Sequence, residues 1–466
     1  MTQAAGRLIP PLLVLLLVAL MTSITAIDVV TALLIAATLV ALADPAARAG
    51  YRRPLAWPLL AFAAVTLLSA ALSSHPRVAF FESKHLLSLP LFFIAVNGFA
   101  GGAAIRRALP WYFGAVTLAS AYALLQTLAC ATTVALPGWV GHALKVRLET
   151  CRLLHPFRAK GFFSIYMTLG GSLLIALALL LALLALARRR RRLWLTAAGV
   201  PAFVALGLTY VRSAWLGLGG AILVLTVLTR RLWLIVPVAL AVLLAVAVPS
   251  ALKTRLLSMA DPADETARER LYLWDAGWRM VRDAPVLGLG PGGVRQHYPE
   301  YKHADAKKPR TGHLHNNLVQ IAAERGLLGL AAWCWIWVAF FRRAGAIYRA
   351  IPGPRSDDRA LVAGSLAVVA GFLVAGLFEY NFGDSEVINL LLVVMAFPFV
   401  CGRDAGGIAL KTPPAAQKGP DARSDGAHDR SSSRAASARL LRARCEARPE
   451  LNGPFPAACA DAAVFP

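Results

Sequence analysis

The chain has 466 residues, 58% of them hydrophobic and only 16% charged, with a mean hydropathy of +0.60. So much apolar surface excludes an ordinary soluble enzyme of this length and points to an all-α, polytopic membrane protein. The formal charge of +23 does not mark a nucleic-acid binder, because the basic residues sit in short clusters between apolar runs, as cytoplasmic loops do under the positive-inside rule.

In chain order the apolar runs cover 8–26, 28–44, 55–73, 86–101, 108–132, 161–187, 193–211, 213–229, 232–251, 316–341, 359–380 and 386–401. Most approach the ~20 residues that cross ~30 Å of hydrocarbon, so about twelve spans are expected. Placing the clusters at 48–53, 106–107, 188–192, 230–231 and 342–343 inside closes the path with both termini cytoplasmic. Segments 74–85, 133–160, 252–315 and 381–385 then face outward. The expected organisation is nine spans over 1–251, a long outer loop over 252–315, three spans over 316–402 and a disordered cytoplasmic tail over 403–466, rich in Ala, Arg, Ser and Pro.

The first run, with Arg7 ahead of it, also has the look of a secretory signal peptide. Its length and the span that follows at once favour an uncleaved helix. Cys130 and Cys151 flank one outer loop, where they either pair or stay free. Cys334 falls inside a span and reads as a packing residue.

The loop 252–315 holds eleven Lys/Arg against eight Asp/Glu, and a connection this long carries function or its own structure. Asp261 as N-cap, Pro262, Asp264 and Glu265 signal a helix start. At 100° per residue, Ala267, Leu271, Trp274, Trp278 and Val281 share one arc, with Arg270 at its edge. Arg270 is thus either the loop cation that points inward or an arginine snorkelling beside tryptophan. "GLGPGG" at 288–293 lacks the strand and the Lys-Ser/Thr of a nucleotide loop and reads as a sharp turn back to the membrane.

"GHLHNNLVQ" at 312–320 sets His313, His315, Asn316 and Asn317 before a long apolar helix. Three readings stand side by side. A His-x-His metal site would need further ligands such as His297, His303 or Asp305, at no recognised spacing. Capping would use His315 and Asn316. General base catalysis would use an imidazole kept neutral by nearby arginines.

The surrounding charges bear on the choice. Arg212 interrupts two apolar runs at an outer junction, where a charge faces a partner or a water-filled cavity. Arg158 and Lys160 meet a span entrance, and Glu379 and Asp384 lie on the same face. Arginines gathered with one histidine at an outer-leaflet cavity suit a phosphate-bearing substrate, whose oxygens the planar guanidinium fork matches.

Four pieces in order, "VRSAWLGL", "RERLYLWDAGWRMVRDAPVLGLGPGG", "HLHNNLVQIAAERGLLGL" and "GLFEYNFGDSE", resemble the bacterial O-antigen ligases of the O-antigen polymerase and ligase superfamily. Together they cover roughly residues 205–400. The resemblance implies a bacterial inner-membrane enzyme of GT-C-like helical architecture with its active site facing the periplasm. It would move a polysaccharide from undecaprenyl pyrophosphate to a lipid A–core sugar, with inversion and with no metal or other cofactor. Carried over by motif, Arg212 and Arg270 would bind the diphosphate and His315 would be the base. His313, where other members often differ, competes for that role. Arg158, His313, Asn316, Glu379 and Asp384 are further substrate-binding candidates, and membrane lipids are the remaining partners. The same superfamily contains O-antigen polymerases and protein O-oligosaccharyltransferases. A secondary transporter is the alternative from another class, though it would place its charges near the midplane rather than at one face.

Overall fold

The computed structural model describes residues 2–131, 157–186, 192–236, 239, 243, 265–353 and 356–404. The regular structure among them is helical throughout, without a strand. Arg403 and Asp404, the first residues of the expected disordered tail, end the helix Ser385–Asp404. The rest of that tail, 405–466, lies outside the described residues, as do Asp261, Pro262, Asp264 and Cys151.

Nine helices among the described residues are long and apolar enough to cross a membrane: Thr2–Thr22, Ile24–Ala41, Pro76–Gly98, Gly102–Cys130, Tyr166–Leu186, Arg212–Thr229, Asn317–Ala350, Asp357–Ala375 and Ser385–Arg403. The runs expected at 55–73 and 193–211 form the shorter helices Ala56–Ala71 and Arg192–Leu208. The run expected at 86–101 starts earlier and is interrupted, because Pro90 follows a 3-10 turn over Ser83–Ser88 and supplies no amide to continue a helix. The run 232–251 lies largely outside the described residues.

Tyr166–Leu186 is apolar on every side and is buried along most of its length, as such a helix must be. Asp357–Ala375 and Ser385–Arg403 share the centre with it. Close packing comes from small residues: a Cβ on Gly217 would lie 2.6 Å from the Gly371 carbonyl, so these two backbones touch.

The bundle has two polar ends. At one, the Arg52 guanidinium donates to the Phe399 carbonyl at 3.1 Å, Arg403 donates to the Phe99 carbonyl, and Arg106 pairs with Asp357 and Asp358. At the other, Arg295 approaches Glu82 at 3.5 Å and His315 meets Glu379. The sequence-expected basic clusters 48–53 and 106–107 thus share an end, opposite the histidines.

Asn317–Ala350 is broken at Gly326, whose φ of 66° and ψ of −176° no helix contains. The freed backbone groups are satisfied by the turn after helix Glu265–Asp283. Leu289 and Gly290 donate to the carbonyls of Ala323 and Glu324 at 2.9 Å, and Leu327 and Leu328 donate to those of Pro285 and Val286 at 2.8 and 3.3 Å. The Ser69 hydroxyl bridges the carbonyls of Leu287 and Glu324. A side chain on Gly326 would collide with the Val286 carbonyl, 2.1 Å from its Cβ position. The glycine-rich segment is a turn, as expected, and its function is to clasp this break.

Helix Glu265–Asp283 buries Leu273, Ala276, Gly277, Met280 and Val281. That face corrects the arc expected from the sequence: Leu271 and Trp278 are exposed. The larger apolar side chains yield the inward face to Ala276 and Gly277, which permit close approach to Leu314 and Val319. Cys130 is disulfide-bonded, whereas Cys334 and Cys401 are free.

Candidate active site

Two asparagines set the histidines in place. Asn316 is the N-cap of Asn317–Ala350, accepting from the Leu318 and Val319 amides, the role that serves a helix start best. Its amide donates to the Leu377 carbonyl at 2.9 Å. The Asn317 amide side chain donates to Asn381 at 2.6 Å and accepts from the Phe382 N–H. The turn 313–317 is thereby stapled to the connection 376–384, which carries Glu379. Asn316 lines neither cavity described below; its side chain is used in the cap and the staple.

His315 has φ 51°, a left-handed conformation that a non-glycine residue keeps only where its surroundings fix it. Its Nδ1 lies 3.0 Å from both oxygens of Glu379. A carboxylate can only accept, so Nδ1–H donates and Nε2 is left as the basic nitrogen. Both side chains are nearly buried, at 13% and 12% exposure. Burial would raise the Glu379 carboxyl. The hydrogen bond from His315, followed by the electrostatic pull of His315, His313 and Arg270, outweighs it and holds the group below its ordinary value.

The His313 ring packs edge-on against His315, with centroids 4.2 Å apart. Burial first, then the neighbouring His315, push its pKa down to about 4 against the pull of Glu379. His313 is therefore neutral near pH 7 and a weak base. Asp384 accepts from the Thr168 hydroxyl at 2.6 Å. Burial and the adjacent Glu386 carboxyl push it up to about 7.

Arg158, Arg212, Arg270, Lys308, His315 and Glu379 line one cavity of about 160 Å³. Arg212 opens helix Arg212–Thr229 just after Tyr210, whose left-handed φ of 53° turns the chain between helices. Arg270 lies one turn before Leu273 on the inward stripe of its helix. Arg158 lies over the Tyr166 ring and donates to its hydroxyl at 2.5 Å. The cations named in sequence order from three distant segments thus surround one space, which Lys160 does not line.

A second cavity, about 350 Å³, shares Met167 and Glu379 with the first and is lined by His313 and Asp384. It also holds Glu324 and Arg325, a buried pair at 2.9 Å in which Glu324 further accepts from the Gly292 amide. Sequence reasoning passed over this pair, although two charges inside an apolar run are themselves a functional signal. Lys308 and Glu386 were passed over as well and carry no comparable signal.

His313, His315 and Glu379 also offer one ligand atom each within 4.8 Å of one another, the one grouping of that kind among the described residues. The further ligands considered from sequence do not join it. His297 contacts Ser74 and Glu300, and His303 stacks on Tyr272 beside Asp305.

The site so far defines a class: a multi-pass helical membrane protein with a cation-lined cavity and a histidine–carboxylate pair at one end of its bundle. The O-antigen ligase family model matches residues 197–334, which places that segment, with Arg212, Arg270, His313 and His315, in the O-antigen ligase superfamily. No curated protein matches the chain.

Proposed function

We propose that the protein is an inverting, metal-independent glycosyltransferase that moves a glycan from undecaprenyl pyrophosphate to a lipid A–core sugar, the O-antigen ligase reaction. It would work at the periplasmic face of the bacterial inner membrane, in a GT-C-like helical scaffold. The observation that carries this reading is the single cavity holding three arginines, a lysine and the His315–Glu379 pair.

A diphosphate is the leaving group such a cavity suits. Arg212 and Arg270, helped by Arg158 and Lys308, bind the donor's phosphates and stabilise the charge that builds as the glycosidic C–O bond breaks. Fixed donors of this kind each contribute about 10²–10³ in rate. His315 Nε2 takes the proton from the acceptor hydroxyl as its oxygen bonds to the anomeric carbon. The electron pair of the broken bond leaves with the diphosphate. Glu379 is a positioning residue: it fixes the tautomer and balances the imidazolium that forms. Because the donor is already activated, no nucleotide is required.

The test is transfer by the purified protein from undecaprenyl-pyrophosphate-linked glycan to separate lipid A–core and lipid-linked glycan acceptors. Product on lipid A–core is expected, and His315→Ala should abolish it in a folded, membrane-inserted protein. Transfer to lipid-linked glycan alone would make the protein a polymerase. Full activity in His315→Ala, or undiminished donor affinity and turnover in both Arg212→Ala and Arg270→Ala, would overturn these assignments.

A further inference from the structure

The two cavities share Met167 and Glu379, with His315 on the side of the smaller and His313 on the side of the larger, and they differ in chemistry. In the smaller one, cations outnumber carboxylates: Arg158, Arg212, Arg270 and Lys308 against Glu269 and Glu379. In the larger one the balance reverses. Glu82, Glu324, Glu379, Asp384 and Glu386 line it, with Arg295 and Arg325 the cations. Arg325 is held by buried Glu324 at 2.9 Å, and Arg295, itself largely exposed, lies 3.5 Å from Glu82. The remaining wall mixes hydrogen-bonding groups, among them Gln320, Tyr380 and Asn381, with apolar Ile165, Met167 and Val387.

A phosphate entering the larger cavity would lose its hydration and face five carboxyl groups against two guanidinium groups. Sugar hydroxyls are both donors and acceptors. Carboxylates, amides and a phenol at mixed orientations can satisfy them, and the volume falls at the lower end of the range for small-molecule sites, about 300–1,000 Å³. Geometry adds a second constraint. Inversion requires the nucleophile to approach the reacting carbon on the face opposite the leaving group. If the diphosphate occupies the smaller cavity, a reactant reaching the same carbon from the other side of Glu379 comes from the larger one.

We infer that the larger cavity is the acceptor subsite, built for an unphosphorylated sugar end, with Asp384 and Glu386 binding its hydroxyls and His313 lying against the incoming ring. This rests on the transferase reading above. It goes further by separating the two reactants in space and by giving the acceptor side a selectivity: neutral sugars are admitted and sugar phosphates are rejected.

Two exposed lining residues serve as reporters, Ser164 in the larger cavity and Thr266 in the smaller. In the full-length protein, Ser164→Cys and Thr266→Cys are each labelled with a small thiol reagent and compared with the parent. The probes are undecaprenyl pyrophosphate, dephosphorylated lipid A–core and phosphorylated lipid A–core. At about ten times its Kd, a bound ligand should slow labelling of its own cavity about 10-fold. Dephosphorylated lipid A–core is expected to protect Ser164→Cys and not Thr266→Cys, and undecaprenyl pyrophosphate the reverse. Phosphorylated core should protect Ser164→Cys less well, and Asp384→Asn together with Glu386→Gln should erase that preference.

Protection of Ser164→Cys by undecaprenyl pyrophosphate, equal protection by both cores, or no protection by either core would overturn the inference. Labelling needs no turnover. Protection in the expected pattern without any transfer would therefore retain the subsite and remove the catalytic reading, whereas transfer without that pattern would do the opposite.

Discussion

Replacing Glu379 with Gln removes one charge and almost no volume, so it isolates what the carboxylate does for His315. At 3.0 Å, a full imidazolium–carboxylate attraction is about 5–6 kcal/mol at an effective dielectric of ~20, an upper figure for a pair this buried. If the proton is about half transferred in the transition state, some 3 kcal/mol of stabilisation is lost, or about 10² in rate at 1.36 kcal/mol per decade. The amide adds a second fault. Its NH₂ can donate to Nδ1 and drive the imidazole proton onto Nε2, the wrong tautomer for a base. Together these place the loss in kcat at about 10²–10⁴, the span of a general base. The assay is the initial rate of glycan transfer at saturating donor and acceptor, with undecaprenyl pyrophosphate affinity measured in parallel and expected to stay within about threefold, since the arginines are untouched. A folded Glu379→Gln enzyme that kept its kcat would refute the pairing as the source of basicity.

Other expectations follow from the same geometry. Gly326→Ala should lower the melting temperature clearly, because its backbone region is nearly glycine-only, at about 1–3 kcal/mol for the conformation alone, and its Cβ meets the Val286 carbonyl. Gly345→Ala, helical and with nothing within 4 Å of the new Cβ, should be neutral or stabilising by up to about 1 kcal/mol; equal losses in the two variants would refute the clasp. His313 has a folded pKa of about 4, below its unfolded value of 6.5, so the unfolded chain binds the proton first. The stability this supplies is complete above about pH 6.5 and is lost as pH falls toward 4. Thermal unfolding across that window should be less pH-dependent in His313→Gln, and an unchanged profile would remove the assignment. Chelator should leave transfer intact; activity lost to chelator and restored by one divalent ion would instead make His313, His315 and Glu379 a metal shell.

Hydropathy was enough to locate most of the bundle, because length and apolar character are local properties of a segment. The same averaging concealed Glu324 and Arg325, two charges diluted by an apolar run. Arg212 could be singled out because it puts a charge at the junction of two apolar runs, whereas periodicity and spacing left Arg270 and His315 with alternatives that only the resemblance to the O-antigen ligases ranked. The convergence of these three residues on one cavity is a fact of three dimensions. Periodicity failed on helix Glu265–Asp283, where it was assumed that large apolar residues turn inward. The inward face is set by Gly277 and Ala276, whose smallness matters only once Leu314 and Val319 are brought against them. The clasp between 285–290 and 323–328 was likewise invisible, since it is made of backbone groups that belong to no motif.

That clasp has a consequence for transplanting parts of this molecule. Residues 285–290 and 323–328 complete each other's hydrogen bonds, so neither is a self-sufficient module. A chimera that imported the 265–293 hairpin from a relative while keeping its own broken helix would mismatch both halves of the join. Acceptor preference should therefore pass between homologues only when the two segments travel together as a single cassette.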